Sequence, residues 1–85
     1  MREITQEKYR ELLGFVIRKL RKEKHTSVDF VANYAKKSVA HIYNIERGKI
    51  FPSFPTYMKI SEALGVSYDW IICEIYEIIF KMPAN

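Results

Sequence analysis

Residues 35–49 read AKKSVAHIYNIERGK. Two lysines lead into a serine, and a short helix-like run closes in Glu46-Arg47-Gly48-Lys49. Cations stand at both ends of the run. Its middle holds Val39, Ala40, His41 and Tyr43, a poor set of hydrogen-bonding groups for a helix that looks placed to touch something. Elsewhere the reactive side chains are scattered. There is no glycine-rich phosphate loop, no supported Cys–His pairing, and no His, Cys and acidic cluster at metal-ligand spacing. His25 and His41 are isolated from each other. Asp29 and Asp69 fall at helix starts, where the helix dipole accounts for them. The sequence predicts no enzyme, no metal site, no cofactor and no small-molecule substrate.

The chain has 85 residues, enough for one small core and too few for two. Its composition is that of an ordinary globular domain, with a net charge of +4 that permits an anionic partner without requiring one. A lone cysteine, Cys73, cannot form an internal disulfide, and its apolar neighbours predict a small buried hydrophobe. The N-terminus is charged throughout and does not read as a signal peptide. The longest apolar run is broken by Glu74 and Glu77, so no membrane span is expected. A cytoplasmic location is the default reading.

The elements that must carry residues 35–49 are helical. Thr5 can cap a first helix, with Glu7 in its first turn and Leu13, Val16, Ile17 and Leu20 facing inward. Ser27 caps a short second helix with an inner stripe of Val31, Ala32 and Ala35. Lys36-Lys37 make a turn. Ser38 caps a third helix, with Ile42 and Ile45 inward and Gly48 as its breaker. Pro52 and Pro55 bracket the start of a fourth helix, which carries Tyr57, Ile60 and Leu64 and ends at Gly65. Ser67 caps a fifth, YDWIICEIYEIIFKM, which stops at Pro83; Trp70 is expected to anchor its start in the core. The prediction is an all-α, five-helix domain over 1–85.

Helix, short turn, helix, each under ten residues, is helix-turn-helix spacing. IRKLRKEK (17–24), Ala32, IYNIERGK (42–49), Pro52-Ser53 and EALGVSYDW (62–70), in order and with the right gaps, resemble the phage-repressor and Cro-type helix-turn-helix family across roughly residues 13–72. The resemblance implies a five-helix bundle with its helix-turn-helix at about 27–47. It implies a regulator, of the repressor kind, that binds double-stranded DNA sequence-specifically through a major-groove helix at 38–46. Its base-contacting candidates are then Val39, Ala40, His41, Tyr43 and Asn44. Its phosphate-contacting candidates are Ser27, Val28, Lys37, Ser38, Arg47 and Lys49. The resemblance also implies a buried ion pair between Arg21 and Glu46. The alternative is a protein-interaction module on the same fold, an anti-repressor or antitoxin-like protein with little DNA binding.

The chain departs from the family pattern in several places. Val28 stands where a phosphate-contacting glutamine is usual, so only its backbone amide can serve. Lys36 and His25 stand where glycines are usual. At Lys36 that means either strain or a different turn. No arginine or glutamine stands at the usual reading positions, which leaves base readout sparse and tilted toward A·T pairs, with DNA shape supplying the rest.

Apolar surface is also in surplus. The first helix has about two extra turns, including Tyr9 and Leu12, and the last helix extends over about 68–82. On it Ile71, Ile75, Ile78 and Met82 form one stripe, with Ile72, Tyr76, Ile79 and Phe80 beside it. Two stripes imply burial on two sides. The expectation is a homodimer through residues 70–82, with Ile71, Ile75, Ile78, Ile79 and Met82 at its interface. Phe30 and Tyr34 form an outward aromatic pair that either covers the last helix or meets a partner.

Overall fold

The computed structural model describes residues 3–83; Met1, Arg2, Ala84 and Asn85 of the expected 1–85 domain lie outside the described residues. The chain forms α1 (Gln6–Glu23), α2 (Val28–Ala35), α3 (Val39–Glu46), α4 (Phe54–Ala63) and α5 (Tyr68–Lys81). No strand occurs among the described residues. The hydroxyls of Thr5, Ser27, Ser38 and Ser53 each accept a first-turn amide of the helix that follows, satisfying a donor that has no partner inside the helix. Ser67 holds the N-cap position of α5 without a side-chain bond.

The first four helices end in one repeated motif. Two amides beyond each end fold back onto carbonyls of the last turn: His25 and Thr26 onto Lys22 and Arg21, Lys36 and Lys37 onto Asn33 and Ala32, Gly48 and Lys49 onto Ile45 and Asn44, Gly65 and Val66 onto Glu62 and Ser61. The motif requires one left-handed residue. Those residues are His25 (φ 54°), Lys36 (φ 58°), Gly48 (φ 75°) and Gly65 (φ 71°). Glycine adopts this backbone freely, whereas His25 and Lys36 bear ~1 kcal/mol of strain each. The turn between α2 and α3 therefore keeps the left-handed form that glycine would take, and Lys36 is strained in it.

Every helix sends a fully buried side chain to one core: Ile17, Val31, Ile42 and Ile45, Ile60, and Ile71. Each such burial contributes about 1.5–3 kcal/mol. The tightest seam joins α1 to the end of α3. A Cβ on Gly14 would stand 2.4 Å from the Ile45 carbonyl oxygen and 2.5 Å from that of Glu46, so only glycine admits this approach. Two turns further along α1, Arg21 grips Glu46 with two bonds, Nε to Oε2 at 2.7 Å and Nη2 to Oε1 at 3.1 Å, while Nη1 donates to the Thr26 carbonyl at 3.0 Å. The Glu46 side chain is fully buried. Its hydrogen bond raises the Arg21 pKa against the opposing effect of desolvation. Between α4 and α5, the Tyr57 hydroxyl donates to the Tyr68 carbonyl, and burial pushes that phenol up to about 12.

The last helix corrects several sequence expectations. Ile71 is fully buried and Ile79 nearly so, while Ile75 and Ile78 pack half-buried on the same core and Met82 is half-buried. Most of the stripe assigned to a dimer interface is therefore used inside the chain, and Ile71 has no surface to offer a partner. The outward stripe is Ile72, Tyr76 and Phe80, which are 40%, 55% and 79% exposed. Trp70 is exposed rather than a core anchor, because Ile71 takes the inward position beside it. Cys73 is exposed, not buried; two residues past Ile71 is ~200° around the helix, on the far side. Phe30 and Tyr34 do not cover α5. Both are exposed, and the Tyr34 hydroxyl donates to Glu62 of α4 at 3.0 Å.

Two consequences are measurable by chemical denaturation. Glu46→Ala strands a buried guanidinium and is expected to lower stability by about 3–5 kcal/mol; an unchanged midpoint would contradict the role given to the pair. His25→Gly relieves a left-handed residue with an exposed side chain and is expected to raise stability by ~1 kcal/mol; a loss of stability would refute the strain.

Candidate nucleic-acid interface

The outer face of α3 is built from the seam upward. Ile42 and Ile45 face the core and Glu46 is tied to α1, so one side and the end of α3 are fixed. The opposite side is left outward. Ala40 is exposed, while Val39, His41, Tyr43 and Asn44 are half-buried. Val39 and Tyr43 rest against the core through part of their surface, so they offer edges rather than whole side chains. Asn44 carries two donors and an acceptor, and His41 beside it can donate and accept as well.

Cations flank that face at both ends. Lys36 and Lys37 precede α3, Arg47 and Lys49 follow it, and all four are exposed. Arg47 lies over the Tyr43 ring, 5.4 Å from guanidinium carbon to ring centroid. That stacking restricts the side chain without neutralising it. Ser27 and Ser38 are exposed N-caps whose hydroxyls accept from Phe30 and His41, both at 3.0 Å. The N-termini of α2 and α3 thus carry the partial positive charge that suits an anionic oxygen. The Val28 side chain is buried, leaving its backbone as the only part able to meet such a group. Chemically, the face can take a polyanion along its rim and offer small apolar edges and one amide at its centre.

Three features escaped the sequence reading. The Tyr43–Arg47 stack has an i, i+4 spacing that could have indicated it. The bond from Arg10 Nε to the Gly48 carbonyl, at 3.2 Å, joins residues 38 apart and left no local signal. The third is an open apolar groove of about 510 Å³ between α1, α5 and the segment before α4, lined by Tyr9, Leu13, Phe51, Phe54, Ile72 and Tyr76 among others. Surplus apolar residues were recognised in α1 and α5, but not the part played by Phe51 and Phe54. Among the described residues no group of His, Cys, Asp and Glu could hold a metal ion, and no helix is long and apolar enough to cross a membrane.

The HTH_3 helix-turn-helix family matches residues 17–71, more than half of the chain. No curated protein matches the sequence. Among solved structures, the fold is similar to that of the clp gene regulator ClgR from Corynebacterium glutamicum, with a TM-score of 0.82, 24% identity, and coverage of 93% of this chain and 81% of that one. It is similar to the restriction-modification controller protein C.AhdI from Aeromonas hydrophila, with a TM-score of 0.70, 22% identity, and coverage of 74% and 96%. It is also similar to an HTH_3 family transcriptional regulator from Vibrio cholerae, with a TM-score of 0.75, 26% identity, and coverage of 87% and 42%.

Proposed function

The chain belongs to the HTH_3 helix-turn-helix family, a family of DNA-binding transcription regulators and not of enzymes, and we propose that it is a homodimeric repressor that reads double-stranded DNA by laying α3 in the major groove. The observation that carries this reading is the outward face of α3 with exposed Lys36, Lys37, Arg47 and Lys49 at its ends. In the groove, Asn44 would pair with adenine N6 and N7, Val39 and Ala40 would meet thymine methyls, and His41 would donate to a guanine or a phosphate. Tyr43 would lie at the edge. Ser27, Ser38 and the Val28 amide would join Lys37, Arg47 and Lys49 on the phosphates. Few of these contacts distinguish bases, so the site would be tilted toward A·T pairs and selected in part by its shape. The protein would work as a single domain in the cytoplasm.

The dimer would form through the outward stripe of α5, Ile72, Tyr76 and Phe80, and the apolar groove beside it. Exposed apolar surface on this scale marks an interaction site on a soluble domain. A two-fold axis through α5 would present two copies of α3 to half-sites one helical turn, ~34 Å, apart.

Two measurements test the proposal. Affinity for mixed-sequence duplex is expected to fall by about 10³ between 50 and 200 mM salt if some six phosphates are contacted. Negligible binding at either salt would favour the protein-interaction module instead. Light scattering at tens of micromolar, ~10⁻⁵ M, is expected to give a dimer mass; a monomer mass there would remove the dimer.

A further inference from the structure

Arg10 lies outside the residues matched by the family, in the extra turns at the start of α1. It nonetheless reaches the segment that follows α3. Its Nε donates to the Gly48 carbonyl at 3.2 Å, and its guanidinium carbon lies 5.8 Å from the centroid of the Phe51 ring. Gly48 itself is pressed against α1: a Cβ there would stand 2.9 Å from the Glu11 Cα. Lys49 comes next, exposed, with its amide bonded back to the Asn44 carbonyl at 2.9 Å. Lys49 thus leaves a backbone held from two directions, by the end of α3 and by α1.

We propose that Arg10 is a positioning residue for DNA binding, which holds Lys49 at the phosphate backbone by tying the Gly48 carbonyl to α1. The proposal rests on the DNA-binding reading above. Loops without such ties lose entropy when they order on a ligand. Here the backbone at Gly48 and Lys49 is already held in the free protein, so a Lys49–phosphate contact forms at less cost. The guanidinium is engaged by a carbonyl and a ring, which leaves Lys49 as the group that meets the phosphate.

The donor being Nε gives a sharp test. In glutamine the side-chain amide nitrogen stands the same number of bonds from the backbone as arginine Nε. Arg10→Gln therefore keeps a donor for Gly48 while removing the charge, and Arg10→Met keeps the stem while removing both. Each variant, with Lys49→Ala and the Arg10→Met/Lys49→Ala pair, is titrated with mixed-sequence duplex at several salt concentrations. Thermal melts verify that each is folded. Arg10→Met is expected to weaken binding about tenfold and to lower the salt slope by about one unit, as one lost phosphate contact does. Arg10→Gln is expected to retain most of both. The double variant is expected to bind like Lys49→Ala alone. If Gln and Met behave alike, or if the Arg10→Met and Lys49→Ala losses add, Arg10 acts by its charge or not at all and the proposal falls. A parent protein without steep salt dependence overturns the DNA-binding reading, and this inference with it.

Discussion

The buried pair of Arg21 and Glu46 is the constraint on which the presentation of α3 depends. A carboxylate with no exposed side-chain surface is tolerable only if its partner is fixed and hydrogen-bonded. Here the partner is fixed by its third bond, to the Thr26 carbonyl, so the guanidinium joins α1, the turn before α2, and α3. Gly14 lets the backbones close on the same side of α3, and Gly48 lets the chain leave α3 against Glu11. The angle of α3 is thereby set by contacts at its C-terminal end. Its N-terminal end, held by the Ser38 cap and the strained Lys36 turn, remains open to solvent. A helix anchored at one end and along one side can offer the rest of its surface to a duplex without reorganising.

Much of this was legible in the sequence, for physical reasons. Serine and threonine caps and apolar residues at helical spacing locate all five helices, because a cap hydroxyl and a core-facing stripe are local requirements. Gly48 and Gly65 mark terminators, since the left-handed residue in that motif favours glycine. At Lys36 the sequence leaves strain and a different turn both open, and the left-handed backbone found there, and at His25, decides for strain. Other features were not legible. Arg21 and Glu46 are 25 residues apart, and only the family resemblance connected them. Arg10 and Gly48 are joined by no pattern at all. In α5, where apolar residues occur nearly all round, periodicity cannot say which stripe meets the core. The misplacement of Trp70, Cys73 and the Ile71 stripe follows from that ambiguity. On the outward face of α3, half-burial of Val39 and Tyr43 arises from their packing on the core, which residue type does not reveal.

The extensions of α1 and α5 alter what the fold can do. They bury Leu12 and Ile79 and so enlarge a core that would otherwise be small for its surface. They also leave the aromatic groove and the outward stripe of α5 uncovered. A second copy covering them would couple folding, assembly and DNA binding, because two recognition helices at fixed separation bind far more tightly than either alone. The same extension places Arg10 against the end of α3. The added length thus bears on both halves of the proposed interface.

The central claim, that the outward face of α3 enters a duplex, is tested most directly by selecting binding sites from random DNA and footprinting the result. The account predicts enrichment of an A·T-tilted sequence made of two related half-sites about one helical turn apart, with protection centred on their major grooves. A pool that stays random after repeated selection, or protection confined to the minor groove, would contradict it.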